Sequence, residues 1–316
     1  LSAYRSELGG PPTMAVTVSI LMMAISMIAL VAQRRILANR RYASSLTNLP
    51  VAVKLSGWKN AAVHFFSHGI VFLAMLPSTV VVYTSFLKTK GPVFVGGFGL
   101  ESYDRIWRDA PDAIYNSFLF AIIAVTFITI TSGLISYVIV RRDTKAAAAI
   151  DFLMMVPYLV PGVVMAIGFV TVFRNGMPNF FDPAVLLVMI YFIRRLPYGV
   201  RSTTSSLRQI KPSLEEAAVN LGATPLGAFI KITVPLIFPG IVVGALMSFI
   251  TAINELSSTL ILYDAGTITM PVKVYVAVLD GEFGLAAALS TILLLSTGAC
   301  VYAVFRFAEN RNSAFL

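Results

Sequence analysis

Apolar residues in this chain come in long runs separated by short polar stretches. Runs long enough to cross a bilayer fall at about 13–33, 64–87, 114–140, 147–173, 182–198, 236–263 and 283–306. A helix needs about 20 apolar residues to traverse the hydrocarbon layer, so each run predicts one span, the fifth being the shortest. At this length only helices satisfy their own backbone in lipid, so the fold class is all-α, a polytopic transmembrane helical bundle. The polar, basic stretch 34–63 reads as a linker. It divides the chain into an N-terminal transmembrane helix (1–35), a cytoplasmic linker (36–63), a six-helix block (64–308) and a cytoplasmic tail (309–316). Segment 91–113 carries glycines and then an aromatic and acidic stretch. It is expected to lie along the outer interface, anchored by Tyr103 and Trp107.

Composition agrees with the pattern. Of 316 residues 57% are hydrophobic and 12% charged, where a soluble domain carries about 25%. A water-soluble or disordered chain is excluded. The net charge of +9 invites a nucleic-acid reading, but its distribution explains it otherwise. With 34–63, 141–146, 194–235 and 306–316 on one side, that side holds seventeen lysines and arginines against seven on the other. The positive-inside rule places the first group in the cytoplasm, with the N-terminus periplasmic and the C-terminus cytoplasmic. The single cysteine, Cys300, reads as a small buried packing residue. His64 and His68 are four apart without a nearby third ligand, so an interfacial or capping role is expected instead of a metal site. The chain begins at Leu1, which reads as a processed form or a piece of something longer.

The inner connection 194–235 has helix grammar. Ser213-Leu214-Glu215-Glu216 has the form of a capping box, with serine at N-cap and Glu216 at N3. This helix is expected to run through Ala217 and Ala218 and stop at Gly222, a natural residue for a left-handed C-terminal cap. After Ala223, Thr224 and Pro225 start a second short helix, expected to end before Pro235. So ordered a loop at a membrane face suggests a docking surface.

Glu216-Ala217-Ala218, three residues, Gly222, nine residues, then Ile232-Thr233-Val234-Pro235 resembles the signature loop of bacterial ABC importer permeases. The one departure is Val234, where that family usually has leucine. The resemblance implies a type I permease core of six helices plus one additional N-terminal helix, with 199–235 as the coupling loop. Glu216 would dock on a cytoplasmic ATPase subunit, Ala217 and Ala218 would allow close approach, and Ser213 and Glu215 would flank the contact. It further implies two ATPase subunits that bind ATP and Mg, a periplasmic substrate-binding protein, a second permease half, and a bacterial inner-membrane location. The stretches PYLVPG (157–162), RRLPYGVRS (194–202), SLRQIKPSLEEAA (206–218) and NELSSTLIL (254–262) look similar to the fused ferric-iron type. Ferric iron is therefore the implied cargo. Thiamine, aminoethylphosphonate, polyamines and sulfate are the alternatives. On this resemblance, 13–33 would be the last helix of a preceding half; the alternative is a self-contained permease with one extra helix.

Two features suit a translocation path better than a lipid face. Pro157 and Pro161, flanking Tyr158 and followed by Gly162, remove backbone hydrogen bonds in mid-run and predict a broken helix. It lines the path or serves packing. Asn254 and Glu255, followed by Ser257 and Ser258, place a carboxylate inside an apolar run at a cost of about 2.5–3.5 kcal/mol. Glu255 then faces the path or fixes neighbouring helices. Gly240 and Gly244 form a G-x-x-x-G pair suited to close helix approach, or are two unrelated membrane glycines.

The chain has no phosphate-binding loop of the G-x-x-x-x-G-K-[ST] form and no hydrolytic motif, so it reads as a non-enzyme that binds no cofactor itself. Two rival classes stay open: a secondary transporter coupling protons through Glu255, and a membrane scaffold binding a cytosolic partner through 206–235.

Overall fold

The computed structural model describes residues 56–142, 144–175 and 182–313, with scattered positions between 17 and 35. The expected span at 13–33 and most of the linker fall largely outside these residues. The chain forms two compact units, Leu1–Thr84 and Ser85–Leu316.

The first unit contributes helix α1 (Trp58–Ser85), which starts six residues before the apolar run. Among the described residues of this helix only Ser85 is buried, and Phe65, Phe66, Ile70, Phe72 and Leu73 are all exposed. A helix that is apolar all round suits lipid or a protein partner. Its polar groups turn back onto its own carbonyls: the Thr79 hydroxyl donates to Met75 O, Thr84 to Val80 O, and His68 Nδ1 bonds to His64 O at 2.7 Å. The His68 ring thus finds its partner in the backbone of its own helix.

The second unit opens with a feature absent from the hydrophobic pattern. A hairpin of β1 (Leu87–Lys90) and β2 (Val93–Phe98) pairs Leu87 with Phe98 and Thr89 with Phe94 across a turn in which Gly91 has φ +61°. Helix α2 (Glu101–Asp109) follows. Tyr103 does not serve as a free interfacial anchor. Its ring packs on the core and its hydroxyl meets Ser85 Oγ at 2.8 Å, whereas Trp107 is exposed.

Helix α3 (Pro111–Arg141) carries a buried stripe of mostly small residues at spacings of three and four: Ala113, Ser117, Ala121, Ala124, Ile128, Ser132 and Ser136. In lipid there is little hydrophobic drive between helices, so small residues that let backbones approach hold the bundle together. Helix α4 (Lys145–Leu153) and the short α5 (Val156–Leu159) lead to a break, and α6 (Gly162–Phe169) continues through a wide π-type turn. The two arms are bent by 98°, which places the predicted break at Val160-Pro161.

Helix α7 (Pro183–Leu207) corrects two boundaries. The span expected to end at 198 runs nine residues further, so 199–207 belong to a span and not to the coupling loop. Arg194 and Arg195, counted above as cytoplasmic, lie in mid-helix. An arginine pair marks a membrane boundary only when water is its partner; here protein groups take that place. With Arg201 also inside the helix, the inner side then holds fourteen basic residues against seven, and the charge bias keeps its direction.

Helix α8 (Ser213–Asn220) and helix α9 (Pro225–Ala228) form the loop. Contrary to expectation, α9 does not end before Pro235. It passes through a π-type turn (Phe229–Thr233) into α10 (Val234–Ile253), giving one run from Pro225 to Ile253. The wide turn re-registers the hydrogen-bond ladder where proline offers no N–H, which lets the helix continue. The sixth apolar run stops at Ile253; a turn separates it from α11 (Thr259–Leu262). Helices α12 (Met270–Leu279) and α13 (Phe283–Ser313) complete the unit. Cys300, on α13, is half-buried instead of enclosed.

Helices α3, α7 and α10 pack on one another, with α13 against α10 and α12. The G-x-x-x-G pair is a crossing. A Cβ on Gly244 would lie 3.0 Å from Gly199 Cα and 3.1 Å from Ser202 Cβ, and Ser202 Oγ donates to Gly240 O at 2.7 Å. Among the described residues, five helices are long and apolar enough to cross a membrane, or six when the bent pair counts as one span.

Candidate functional site: a docking loop and a buried charge cluster

Residue by residue, the loop departs from its predicted start and matches its predicted end. The capping box does not form. Pro212 holds the N-cap position in a helical conformation, Ser213 is the first helical residue, and no side chain caps the helix. Proline's fixed φ already presets the first turn, so the serine is displaced inward. At the other end Gly222 has φ +93°; its N–H donates to Val219 O at 2.9 Å and Ala223 N–H to Ala218 O at 3.0 Å. That is a Schellman motif, and it needs a residue without a Cβ. Thr224 caps the next helix by accepting from Gly227 N–H at 3.1 Å, with Pro225 as its first residue.

The two glutamates of the loop divide the work. Glu215 turns inward. Arg141 Nε and Nη2 donate to its Oε1 at 3.0 and 2.8 Å, and the Tyr137 hydroxyl donates to its Oε2 at 2.9 Å. Burial opposes its charge, but the hydrogen bonds from Arg141 and Tyr137 outweigh it and hold the carboxyl below the usual carboxylate range. Arg141 also donates to Ile210 O, and the Tyr137 ring stands edge-on to Phe229 at 4.8 Å. Glu216 and Ala217 are exposed, Ala218 half-buried. Tyr137, Glu215, Glu216, Val219, Asn220, Pro225 and Ala228 line a cleft of about 290 Å³. Leu221 beside it is 89% exposed, with Leu214 and Leu226 also open. Ile232 is half-buried in the π-type turn and Pro235 is exposed.

The second constellation joins two of the sequence features through residues that were overlooked. Glu255 lies in the turn after α10 with only 3% of its side chain exposed. Its Oε1 accepts from Ser257 Oγ at 2.9 Å and from Ser258 N–H and Oγ at 3.1 Å each, and forms an ion pair with Arg194 Nη1 at 2.6 Å. Its Oε2 is engaged by Arg195. Arg194 Nη1 also donates to Ser258 Oγ at 2.9 Å. The broken helix meets this cluster: a Cβ on Gly162 would lie 2.6–2.8 Å from Ser257 Oγ, Arg194 Nη1 and Ser258 Oγ. Below it the Tyr191 hydroxyl bonds to Thr259 Oγ1, which donates to Glu255 O.

Not every predicted path residue joins in. Asn254 turns away, donating to Ile250 O and Thr297 Oγ1. Its side chain caps α10 and so cannot face Glu255. Tyr158 is exposed and stands edge-on to Tyr198. Pro157 and Pro161 act by breaking the helix. Arg194 and Arg195 were legible only as a basic pair at a run's end. Pro197 and Gly199 read as a helix stop just after them, yet the helix runs on to Leu207, so no local signal places the two arginines in mid-helix.

The chain belongs to the binding-protein-dependent transport system inner membrane component family, whose model matches residues 130–313. It is therefore a multi-pass inner-membrane component of that family. It is 26% identical over 265 residues to the ferric transport system permease protein FbpB of Actinobacillus pleuropneumoniae, covering 82% of this chain but 37% of that relative's length. It is 28% identical over 262 residues to the putrescine transport system permease protein PotI of Escherichia coli K12, covering 80% of this chain and 90% of the relative. The molybdate/tungstate permease protein WtpB of Thermococcus kodakarensis is 27% identical over 207 residues, covering 64% and 80%. Among solved structures, a bacterial ABC transporter involved in import of the acidic polysaccharide alginate superposes with a TM-score of 0.63 at 15% identity, covering 81% of this chain and 96% of that one. That likeness is one of fold.

Proposed function

We propose that this chain supplies one half of the membrane pathway of an ATP-driven importer, with α8 as the element that docks on a cytoplasmic ATPase subunit. The observation that carries the reading is the division between the two glutamates. Glu215 ties α8 to the end of α3, while Glu216, Ala217 and Leu221 remain free for a partner. The full assembly would hold a second permease half, two ATPase subunits that bind ATP and Mg, and a periplasmic substrate-binding protein. The basic residues at the loop's membrane face favour a cytoplasmic loop and a periplasmic N-terminus. Ferric iron is the cargo suggested by a ferric permease relative matched over 82% of this chain. Proton coupling through Glu255 fits less well. Its Oε1 already accepts three hydrogen bonds and pairs with Arg194, which leaves little room for a travelling proton.

Co-purification of the intact parent protein with its ATPase, comparing wild type with Glu216→Arg, tests the reading. Wild type should retain the ATPase and the variant lose most of it. Equal retention, or no ATPase on either, removes α8 from the mechanism.

A further inference from the structure

The cluster around Glu255 is unbalanced. Arg194 and Arg195 sit at the middle of a 25-residue span, 13% and 14% exposed. Arginine stays charged, and each guanidinium brings five N–H donors and no acceptor. Among the described residues the carboxylate paired with either of them is the same one, Glu255, so the cluster carries a net charge of +1. Acceptors are short as well. The oxygen that pairs with Arg194 already accepts three hydrogen bonds from Ser257 and Ser258, and the Nε atoms of both arginines are buried without any acceptor. The first turn of the eight-residue helix α6 begins against the same serines with no side-chain cap, adding the positive end of a helix dipole.

Charged groups at membrane depth persist where they pair or serve a pathway. This group is paired but oversupplied with positive charge and donors. We infer that the transported species meets this cluster as an anion carrying at least two acceptor oxygens, and that Glu255 is the resident anion it displaces. The inference rests on the importer reading above. The fitting chemistry is a tetrahedral oxyanion or a phosphonate or carboxylate group, because arginine forks match paired oxygens. The same oxygens can arrive on a free oxyanion or as ligands wrapped around a ferric ion. A bare polyamine offers neither acceptor oxygens nor negative charge and is repelled.

The test uses the full transporter with its ATPase and binding protein in proteoliposomes. ATP-dependent uptake is followed for labelled molybdate, 2-aminoethylphosphonate, ferric citrate and putrescine. An anionic species should accumulate and putrescine should not. Molybdate or phosphonate uptake assigns a free oxyanion, and joint uptake of labelled iron and labelled citrate assigns the chelate, whereas iron without citrate overturns the inference. Arg195→Gln, which brings the cluster to neutrality, should lower uptake at least tenfold, and Arg195→Lys should restore much of it. The wild-type comparison stands even if the variants fail to insert. ATPase co-purification on the same preparations separates the two readings, since its loss counts against the importer. With the ATPase retained, import of putrescine, of no anion in the set, or unchanged uptake by Arg195→Gln overturns the inference.

Discussion

Arg141 and Glu215 meet across 74 residues of sequence, and the meeting fixes the docking helix to the inner end of α3. Both side chains are nearly enclosed, 11% and 12% exposed, so the pair is less screened than a surface salt bridge. Arg141→Ala should free α8 from the span at a local cost of about 1.5–3 kcal/mol, the range for hydrogen bonds to charged groups. Hydrogen exchange over 210–222 should quicken roughly tenfold or more on that scale. Exchanging the two residues, Arg141→Glu with Glu215→Arg, should recover part of the protection. No recovery would assign the loss to Arg141's bond with Ile210 O.

The same pair gives the loop an acid limit. The folded-state pKa of Glu215 is depressed, so its contribution is complete above the unfolded value of about 4.3 and is lost as pH falls through the lower folded value. Exchange protection of α8 in the isolated permease should therefore be flat from neutral pH down to about 5. It should fall below that, and Glu215→Gln should remove the acid-dependent part.

Gly222 closes α8 at φ +93°, where a Cβ is strained by about 1–2 kcal/mol. Nothing lies within 4 Å of an added Cβ, so the cost is conformational and not steric. Gly222→Asp should leave membrane insertion intact while ATPase binding drops. Gly222→Asn, better tolerated in the left-handed region, should lose less. Equal loss in both would show that backbone conformation is not what the contact reads.

The crossing of α7 and α10 tolerates no bulk. Gly244→Leu would drive a side chain into Gly199 and Ser202, and overpacking of this kind costs about 1–3 kcal/mol. Thermal unfolding in detergent should shift down clearly for Gly244→Leu and little for Gly168→Ala, whose added Cβ would meet nothing within 4 Å.

How far the sequence discloses this molecule varies with the kind of signal. Length and hydropathy predict the spans after the first, and turn chemistry predicts the Gly222 stop and the Thr224 cap, because each depends on a few adjacent residues. The Pro161 break is legible for the same reason. The hairpin at 87–98 is not, since its exposed strands lack a period-two burial pattern. The start of α8 misleads because Pro212 competes with Ser213 for one position. Arg194 and Arg195 mislead most. Charge in a linear pattern signals water, and only the fold brings Glu255, some 60 residues on, to replace it. Partners that far apart in sequence leave no local trace.

The unbroken helix from Pro225 to Ile253 has a mechanical consequence. At 1.5 Å per residue its 29 residues form a beam of about 43 Å. One end carries part of the cleft beside Glu216, and the other stops two residues short of Glu255. Just past its midpoint it bears on α7 through Gly240 and Gly244, a contact too tight to slide freely. On the importer reading proposed above, tipping about that contact would carry a displacement at the loop end, reversed in direction, to the arginine cluster, and so couple one face of the membrane to its interior.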